Sequence, residues 1–307
     1  MTLGHDATGN DDAPVEGDAK RRARRLLTAT GLALALLLLV AMAWAAEPFQ
    51  PDSFGPGHDA RAYWAVSPDE PYSAGVGDES AYLYSPAFLQ VVSPLRLLSW
   101  TAFLATWTVL LLAVLRWLSG PLLFAPLLVL ALPELWGGNV TILMAAAIVV
   151  GFRWAGAWAL LILTKVTPGL GLLWFLVRRE WRPLAWAGVV TLSVAGLSAL
   201  VAPGAWGDWF RLLAESTGAS TVGHSLPIPL WARLPAAAAV IVYAARTERR
   251  WLLPVGVLLA LPVIWWGSVA ILAASVALRR RALEEWPLAR VTRRARDEDP
   301  VRAGRER

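Results

Sequence analysis

Long apolar segments recur along almost the whole chain, from residue 26 to residue 278. The first, at residues 26–46, is about as long as the ~20 residues that a helix needs to cross a bilayer. The composition agrees, because 57% of the residues are hydrophobic and 18 of them are Trp. The sequence therefore predicts an all-α, polytopic membrane protein and excludes a soluble domain with a large core.

Pro, Gly and Arg residues divide the remaining apolar sequence into further segments. We predict spans at residues 100–118, 121–135, 140–152, 155–164, 168–177, 184–202, 230–245, 251–262 and 264–278. Together with the first span, this makes about ten transmembrane helices. Several segments are shorter than a full crossing requires, so we expect some of these helices to be broken or partly re-entrant.

The two ends of the chain are polar. Residues 1–25 have the composition of a disordered tail, and the basic residues 280–307 form a second tail, so the membrane domain is predicted at residues 26–279. A secretory signal peptide is the rival interpretation of the first apolar segment. Its length exceeds the usual ~7–15 residues of a signal-peptide core, which favours a retained anchor.

Arginine clusters alternate along the predicted spans. If the N-terminus is cytoplasmic, most of the arginines that follow the first loop fall on the cytoplasmic side of the membrane. The two long segments on the outer side are then residues 47–99 and 203–229. The pattern predicts a multi-pass plasma-membrane protein with both termini cytoplasmic and with short interfacial helices in its outer loops. Topology then explains the net charge of +5, so nucleic acid is not an expected partner.

Lys165 is, apart from Lys20, the only lysine, and it lies between two apolar stretches. An ammonium group at such a place is costly unless it faces water, a partner or a ligand. Phosphate is a ligand that suits a compact ammonium group. The alternative is a lysine whose side chain extends to the membrane interface.

The outer segments carry most of the unusual polar residues, which predicts a site on the outer face. In a helix over residues 59–64, Asp59 and Tyr63 share a face at the i,i+4 spacing. Asp59 is the candidate general base, and the alternative is an N-cap that bonds backbone amides. Candidate contacts to phosphate or sugar are His224, Arg96 and Arg211. The alternative is that the histidine is an ordinary loop residue and that the two arginines anchor the chain at the membrane interface.

Several short motifs occur in a recognisable order. Gly57-His58-Asp59-Ala60-Arg61-Ala62-Tyr63 is followed by Tyr82-Leu83-Tyr84-Ser85-Pro86, Gly138-Asn139, Thr164-Lys165-Val166-Thr167-Pro168, Gly223-His224-Ser225-Leu226 and Leu261-Pro262-Val263-Ile264-Trp265. The series resembles glycosyltransferase family 87, the polyprenyl-phosphate-mannose-dependent α-mannosyltransferases of actinobacteria. Ser85, His224, Trp266 and Gly267 depart from the family pattern.

The resemblance implies a GT-C-like fold and an inverting sugar transfer from a polyprenyl phosphate to a glycolipid or glycan acceptor. It implies that Asp59 is the catalytic carboxylate, with Tyr63, Tyr84 and Lys165 near the substrates. The departing phosphate needs a cation or hydrogen-bond donor. A lipid-phosphate donor requires no nucleotide site, cofactor or metal, so none is expected.

Two other functions remain open from sequence. One is a family-like membrane subunit that binds lipid-linked sugars without transferring them. The other is a secondary transporter, for which mid-span ionisable residues and repeated halves would be expected. Neither transporter feature is evident in this sequence.

Overall fold

The computed structural model describes residues 13–45, 55–74, 78, 81–216 and 226–280. Every regular element in these residues is helical, as the sequence predicted. His224 and residues 281–307 of the predicted C-terminal tail lie outside the described residues.

The helices follow one another with short connections. The α-helices are α1 (Ala13–Ala45), α2 (His58–Ala65), α3 (Pro86–Val92), α4 (Trp100–Leu130), α5 (Leu132–Gly137), α6 (Thr141–Gly151), α7 (Trp158–Thr164), α8 (Leu173–Val177), α9 (Trp181–Val201), α10 (Pro203–Ser216), α11 (Leu230–Arg246) and α12 (Leu253–Leu259). The main 3₁₀ turns are Ser93–Leu97, Thr167–Leu172 and Trp266–Leu272.

Three stretches of the described helices are long and apolar enough to cross a membrane, namely Arg25–Ala45, Trp100–Leu130 and Trp181–Val201. Four shorter apolar helices, at Thr141–Gly151, Ala155–Thr164, Thr167–Val177 and Arg250–Leu259, fall below the length of a full crossing. These helices support a membrane protein with interrupted spans. The count of about ten crossings stays a prediction.

Two predicted boundaries differ from the structure. Residues 100–118 and 121–135 are predicted as separate segments, and the non-helical backbone of Gly120 (φ 66°, ψ 179°) does divide α4 into two helical parts at that point, but the second part ends at Leu130 and not at residue 135. Pro121 follows that glycine and cannot supply a backbone N–H to the helix, which explains a bend at this point. At the N-terminus, α1 already begins at Ala13, inside the segment predicted as a disordered tail.

The first span lies against α4. A Cβ atom on Gly31 would approach the Phe124 ring to 2.7 Å, so this glycine allows the two helices to pack closely. The rest of α1 leaves several leucines exposed, including Leu36 at 63%. A lipid-facing helix buries such side chains in the bilayer instead of in protein.

One end of the molecule collects arginines from separate loops, and we call it the arginine end: Arg153, Arg178, Arg249, Arg250 and Arg279. Arg178 donates to the Ala245 carbonyl, Arg250 lies over the Phe152 ring, and Arg279 lies over the Trp251 ring. These contacts gather clusters that the topology prediction placed on one side of the membrane. Helix α6 runs from this end to the opposite one, a distance of about 16 Å at ~1.5 Å per residue.

The chain between α12 and the turn Trp266–Leu272 is not helical, and Arg233 stabilises it. Its guanidinium is only 5% exposed and donates to the carbonyls of Leu259, Leu261 and Pro262, at 2.8–2.9 Å, and to Ile228. These bonds satisfy carbonyls left open where the helix stops. Arg233 thereby fixes the segment that leads to Gly267.

Candidate active site

Helix α2 is attached to α5 at its first turn. Gly57, with φ of 75°, precedes α2 and donates its backbone N–H to the Trp136 carbonyl at 2.7 Å. The N-cap residue is therefore Gly57, and Asp59 lies inside the helix. The capping alternative for Asp59 is wrong, because its carboxylate bonds a side chain of another element.

Two glycines at the end of α5 allow this close approach. Gly138 has φ of 71°, and a Cβ atom there would meet the Ala60 Cβ at 2.7 Å. A Cβ atom on Gly137 would lie 3.0 Å from Oδ2 of Asp59. Since a left-handed backbone favours glycine, the Gly137–Gly138 pair both ends α5 and makes room for Asp59.

Asn139 connects the predicted base to the predicted cation. Its Nδ2 donates to Oδ2 of Asp59 at 3.0 Å, and its Oδ1 accepts from Nζ of Lys165 at 3.4 Å. Oδ1 also accepts from the backbone N–H of Val140 at 2.7 Å, which fixes the orientation of the amide. Asp59 and Lys165, which are far apart in sequence, thus meet across one side chain.

Lys165 lies where the helix is interrupted. It follows α7 with an extended backbone (φ −142°, ψ 109°) and precedes the 3₁₀ turn that begins at Thr167 and contains Pro168. Pro168 has no backbone N–H to donate to the carbonyl of Thr164, so the α-helical hydrogen-bond pattern of α7 cannot continue through it. The side chain points at Asn139, which is not the outward extension of a snorkelling lysine.

The surroundings shift the pKa values of both groups, which lie in loops or in the short α2 outside the spanning helices. Burial raises the pKa of Asp59, while the Asn139 hydrogen bond and the Lys165 charge lower it in part. Burial lowers the pKa of Lys165, and the charges of Glu134 and Asp59 act against that effect. Asp59 therefore takes up a proton at a higher pH than an exposed aspartate does.

Tyr63 of α2 contacts Tyr84, which precedes α3. The Tyr63 hydroxyl donates to the Tyr84 hydroxyl at 3.0 Å, and the rings meet edge to face with centroids 5.1 Å apart. Tyr63 is 0% exposed and Tyr84 is 8% exposed. The substrate contact of Tyr63 stays a prediction, and in this structure its hydroxyl bonds Tyr84 and its ring is enclosed. Tyr84 has the same enclosed position, and its backbone carbonyl accepts from Tyr72.

The structure does not bring the two predicted arginines to Asp59 and Lys165. Arg96 donates to the backbone carbonyls of Trp64 and Val66, where it fixes the end of α2. Arg211 forms an exposed ion pair with Asp208 within α10. The phosphate contacts of these arginines stay predictions, since each guanidinium has a partner away from the Asp59–Lys165 pair in this structure. The prediction for His224 falls outside the described residues.

Glu134 is the site residue that the sequence analysis missed. It is 0% exposed, and its Oε1 accepts from the backbone N–H of Thr141 at 2.9 Å, at the start of α6. Its charge interacts with those of Lys165 and Asp59. The signal was available, because Glu134 is the only acidic residue between Glu79 and Glu180 and lies in a predicted span. We define the acid–lysine cluster as Asp59, Glu134, Asn139 and Lys165.

Within the described ranges, no group of three or more His, Cys, Asp or Glu residues has the arrangement of a metal site. The cluster instead offers one cation, one amide and two carboxyl groups. Such a set can bind an anion and accept a proton within a few ångströms.

An all-helical chain with apolar spans and a buried acid–lysine cluster defines a polytopic membrane protein with a polar site at one end. The family model of glycosyltransferase family 87 matches residues 82–293, more than two thirds of the chain, and the chain belongs to this family. Membership supports a glycosyltransferase activity. The match includes Tyr84, Glu134, Asn139 and Lys165, whereas Asp59 precedes it. No curated protein and no solved structure matches the chain significantly.

Proposed function

We propose that the protein transfers a mannosyl or related sugar from a polyprenyl phosphate to a hydroxyl of a glycolipid or glycan in the outer leaflet. The observation that carries this proposal is the bridge from Asp59 through Asn139 to Lys165. The bridge supports the proposal because it holds a carboxylate, which can accept a proton, near an ammonium group, which can bind phosphate, in a member of a glycosyltransferase family. A GT-C-like fold is part of the proposal.

The reaction is a single displacement. The acceptor oxygen attacks C1 of the donor sugar, the C1–O bond to phosphate breaks, and the bonding electrons leave with the phosphate oxygen. Asp59 takes the proton of the attacking hydroxyl. Attack from the face opposite the leaving phosphate inverts the configuration at C1.

Lys165 binds the donor phosphate in this mechanism. The phosphate gains negative charge as the C1–O bond breaks, and a cation in a buried site stabilises that charge more than it would in water. Asn139 keeps the ammonium group near Asp59 without neutralising it. The tyrosine pair Tyr63–Tyr84 holds α2, and therefore Asp59, in place.

We also propose that the cluster faces the outer leaflet and that the arginine end is cytoplasmic. The positive-inside rule assigns the arginines to the cytoplasmic side, and α6 separates them from the cluster. Single cysteines introduced at Asp78 and at Arg250 test the orientation by labelling with a membrane-impermeant thiol reagent. We expect labelling at residue 78 from outside and at residue 250 only after permeabilisation; the reverse pattern contradicts the assignment.

The direct test of activity is a transfer assay in membranes with labelled polyprenyl-phosphate sugars. We expect product with the wild type and almost none with Asp59→Asn. Tight binding of the donor without any transfer by the wild type would instead support a binding subunit. Movement of the lipid-linked sugar across vesicles without a new glycosidic bond would support a transporter.

A further inference from the structure

Glu134 is a buried carboxyl group that has no role in the proposed transfer reaction. Its side chain is 0% exposed, and Oε2 accepts no hydrogen bond from the described residues. Gly267 lies directly against this oxygen, since a Cβ atom there would be 2.6 Å from Oε2. The fold therefore encloses an acid and leaves half of its carboxyl group without a partner.

A short chain of hydrogen bonds connects Glu134 to Lys165. Oε1 accepts from the Thr141 backbone N–H, and the Thr141 hydroxyl donates to Oδ1 of Asn139 at 3.3 Å. That same Oδ1 accepts from Lys165. Two residues, Thr141 and Asn139, thus lie between Glu134 and the cation.

The charges of the cluster do not balance if both acids are ionised. One ammonium group neutralises one carboxylate, and a second buried carboxylate is costly. Asp59 is only half-buried and has a side-chain donor in Asn139. Glu134 is fully buried and its Oε2 has no donor among the described residues, so it is the acid that carries the proton when the site is at rest.

The pKa of Glu134 agrees with this assignment. Burial raises it to about 8; the Asp59 charge adds to the rise, and the Lys165 charge and the Thr141 bond oppose it. The group therefore changes charge slightly above neutral pH.

We propose that Glu134 is a positioning residue whose proton controls the binding of the anionic donor by Lys165. This inference rests on the proposed function. With Glu134 neutral, Lys165 is available to the donor phosphate. With Glu134 ionised, the carboxylate attracts Lys165 and repels the phosphate, so the donor and the Glu134 charge exclude each other.

The donor itself does not titrate in the relevant range, because a phosphodiester keeps one negative charge at neutral and alkaline pH. A change in donor affinity with pH therefore reports on the protein. The titratable groups that interact with Glu134 are Lys165, Asp59, Tyr63 and Tyr84. Lys165 interacts with Asp59 and Glu134, and Asp59 also interacts with His58. Deprotonation of Lys165 also weakens donor binding, so the test must separate the two groups.

The variant Glu134→Gln makes this separation. Gln keeps the oxygen that accepts from Thr141 and never becomes negative. We expect the donor KM of the wild type to rise by up to about tenfold per pH unit above the pKa of Glu134, as proton linkage requires. In Glu134→Gln the donor KM should stay near its neutral value over that range, because the glutamine side chain gains no charge.

Two outcomes overturn the proposal. In the first, the donor KM of Glu134→Gln rises with pH in parallel with the wild type. In the second, it rises at a lower pH than in the wild type, which would mean that Glu134 chiefly keeps Lys165 charged. Glu180→Gln, at the arginine end, is the matched control and should follow the wild-type curve.

A measurement on the wild type alone covers the case in which Glu134→Gln does not fold. Donor binding near pH 8 should take up a proton, which calorimetry in buffers of different ionisation enthalpy measures directly. Zero uptake or proton release contradicts the inference.

The variant Lys165→Met distinguishes failure of this inference from failure of the proposed function. Unchanged donor affinity in Lys165→Met refutes the proposed function. Lost affinity in Lys165→Met, together with a wild-type pH profile in Glu134→Gln, refutes only the role of Glu134.

Discussion

Two cations at opposite ends of the molecule have contrasting surroundings. Arg178, at the arginine end, pairs with Glu180 at 2.7 Å and with Glu248 at 3.1 Å, and the Glu248 side chain is 75% exposed. Lys165, at the other end, contacts an amide and interacts with the half-buried Asp59 and the buried Glu134 without a direct ion pair among the described residues. Arg178 therefore forms ion pairs with accessible carboxylates, whereas Lys165 lies near two carboxyl groups without a direct ion pair to either.

This difference separates topology from chemistry. Water screens an exposed ion pair, so the arginines at the arginine end can follow the positive-inside rule with little effect on the free energy of unfolding. In a buried cluster each charge affects its neighbours strongly, because the local dielectric is low. A cation left without a close carboxylate in such a place is suited to bind an anion that arrives from outside.

The largest effect should come from Asp59→Asn. This change keeps the size of the side chain and removes the proton acceptor, so turnover should fall by about 10²-fold or more. Initial rates of sugar transfer at saturating donor measure it. Asp69→Asn, in an exposed part of the same outer segment, is the control; near-normal turnover in Asp59→Asn would move the role of base to another outer carboxylate.

The next effect should come from Lys165→Met, which keeps an apolar stem and removes the charge. Loss of a charge-assisted contact to phosphate should cost about 1.5–3 kcal/mol, or roughly 10- to 150-fold in transfer efficiency at low donor concentration. Lys165→Arg should restore only part of the efficiency, because its planar fork presents donors differently. Full activity in the arginine variant would indicate a role in membrane anchoring.

A smaller effect, on stability as well as activity, should come from Gly138→Ala. The positive φ and the overlap with Ala60 should destabilise the fold by about 1–3 kcal/mol, because alanine is strained in this backbone region. Thermal unfolding in detergent measures the change. Gly188→Ala in α9 is the control, since no heavy atom lies within 4 Å of its Cβ position; equal losses in both variants would contradict the close-approach argument.

The smallest effect should come from Arg178→Gln. Removing this partly exposed ion pair should change the free energy of unfolding by about 0–1 kcal/mol and leave transfer unchanged. The same unfolding and transfer assays check it. A loss of transfer similar to that of Lys165→Met would erase the contrast between the two ends of the molecule.

The sequence was sufficient for the properties that depend on local pattern. Apolar length predicted the membrane class, and the helix expected over residues 59–64 lies within α2 (His58–Ala65). The arginine clusters predicted a common side of the membrane for several loops, and two of these loops are in contact through Arg178 and the Ala245 carbonyl; the side itself stays a prediction. Asp59 and Lys165 were identifiable because ionisable residues are rare and costly in such a chain.

The tertiary structure decided which of these residues meet. Asn139 bonds Asp59 across 80 residues and Lys165 across 26 residues, distances in sequence over which no periodic pattern carries information. The meeting depends on Gly57 and the Gly137–Gly138 pair, which let α2 approach α5, and on the break after α7. Packing also decided that Arg96 donates to backbone carbonyls and that the Tyr63 hydroxyl bonds the Tyr84 hydroxyl. A hydrogen bond depends on positions that only the packed helices fix, whereas burial in a membrane depends on composition, which the sequence already contains.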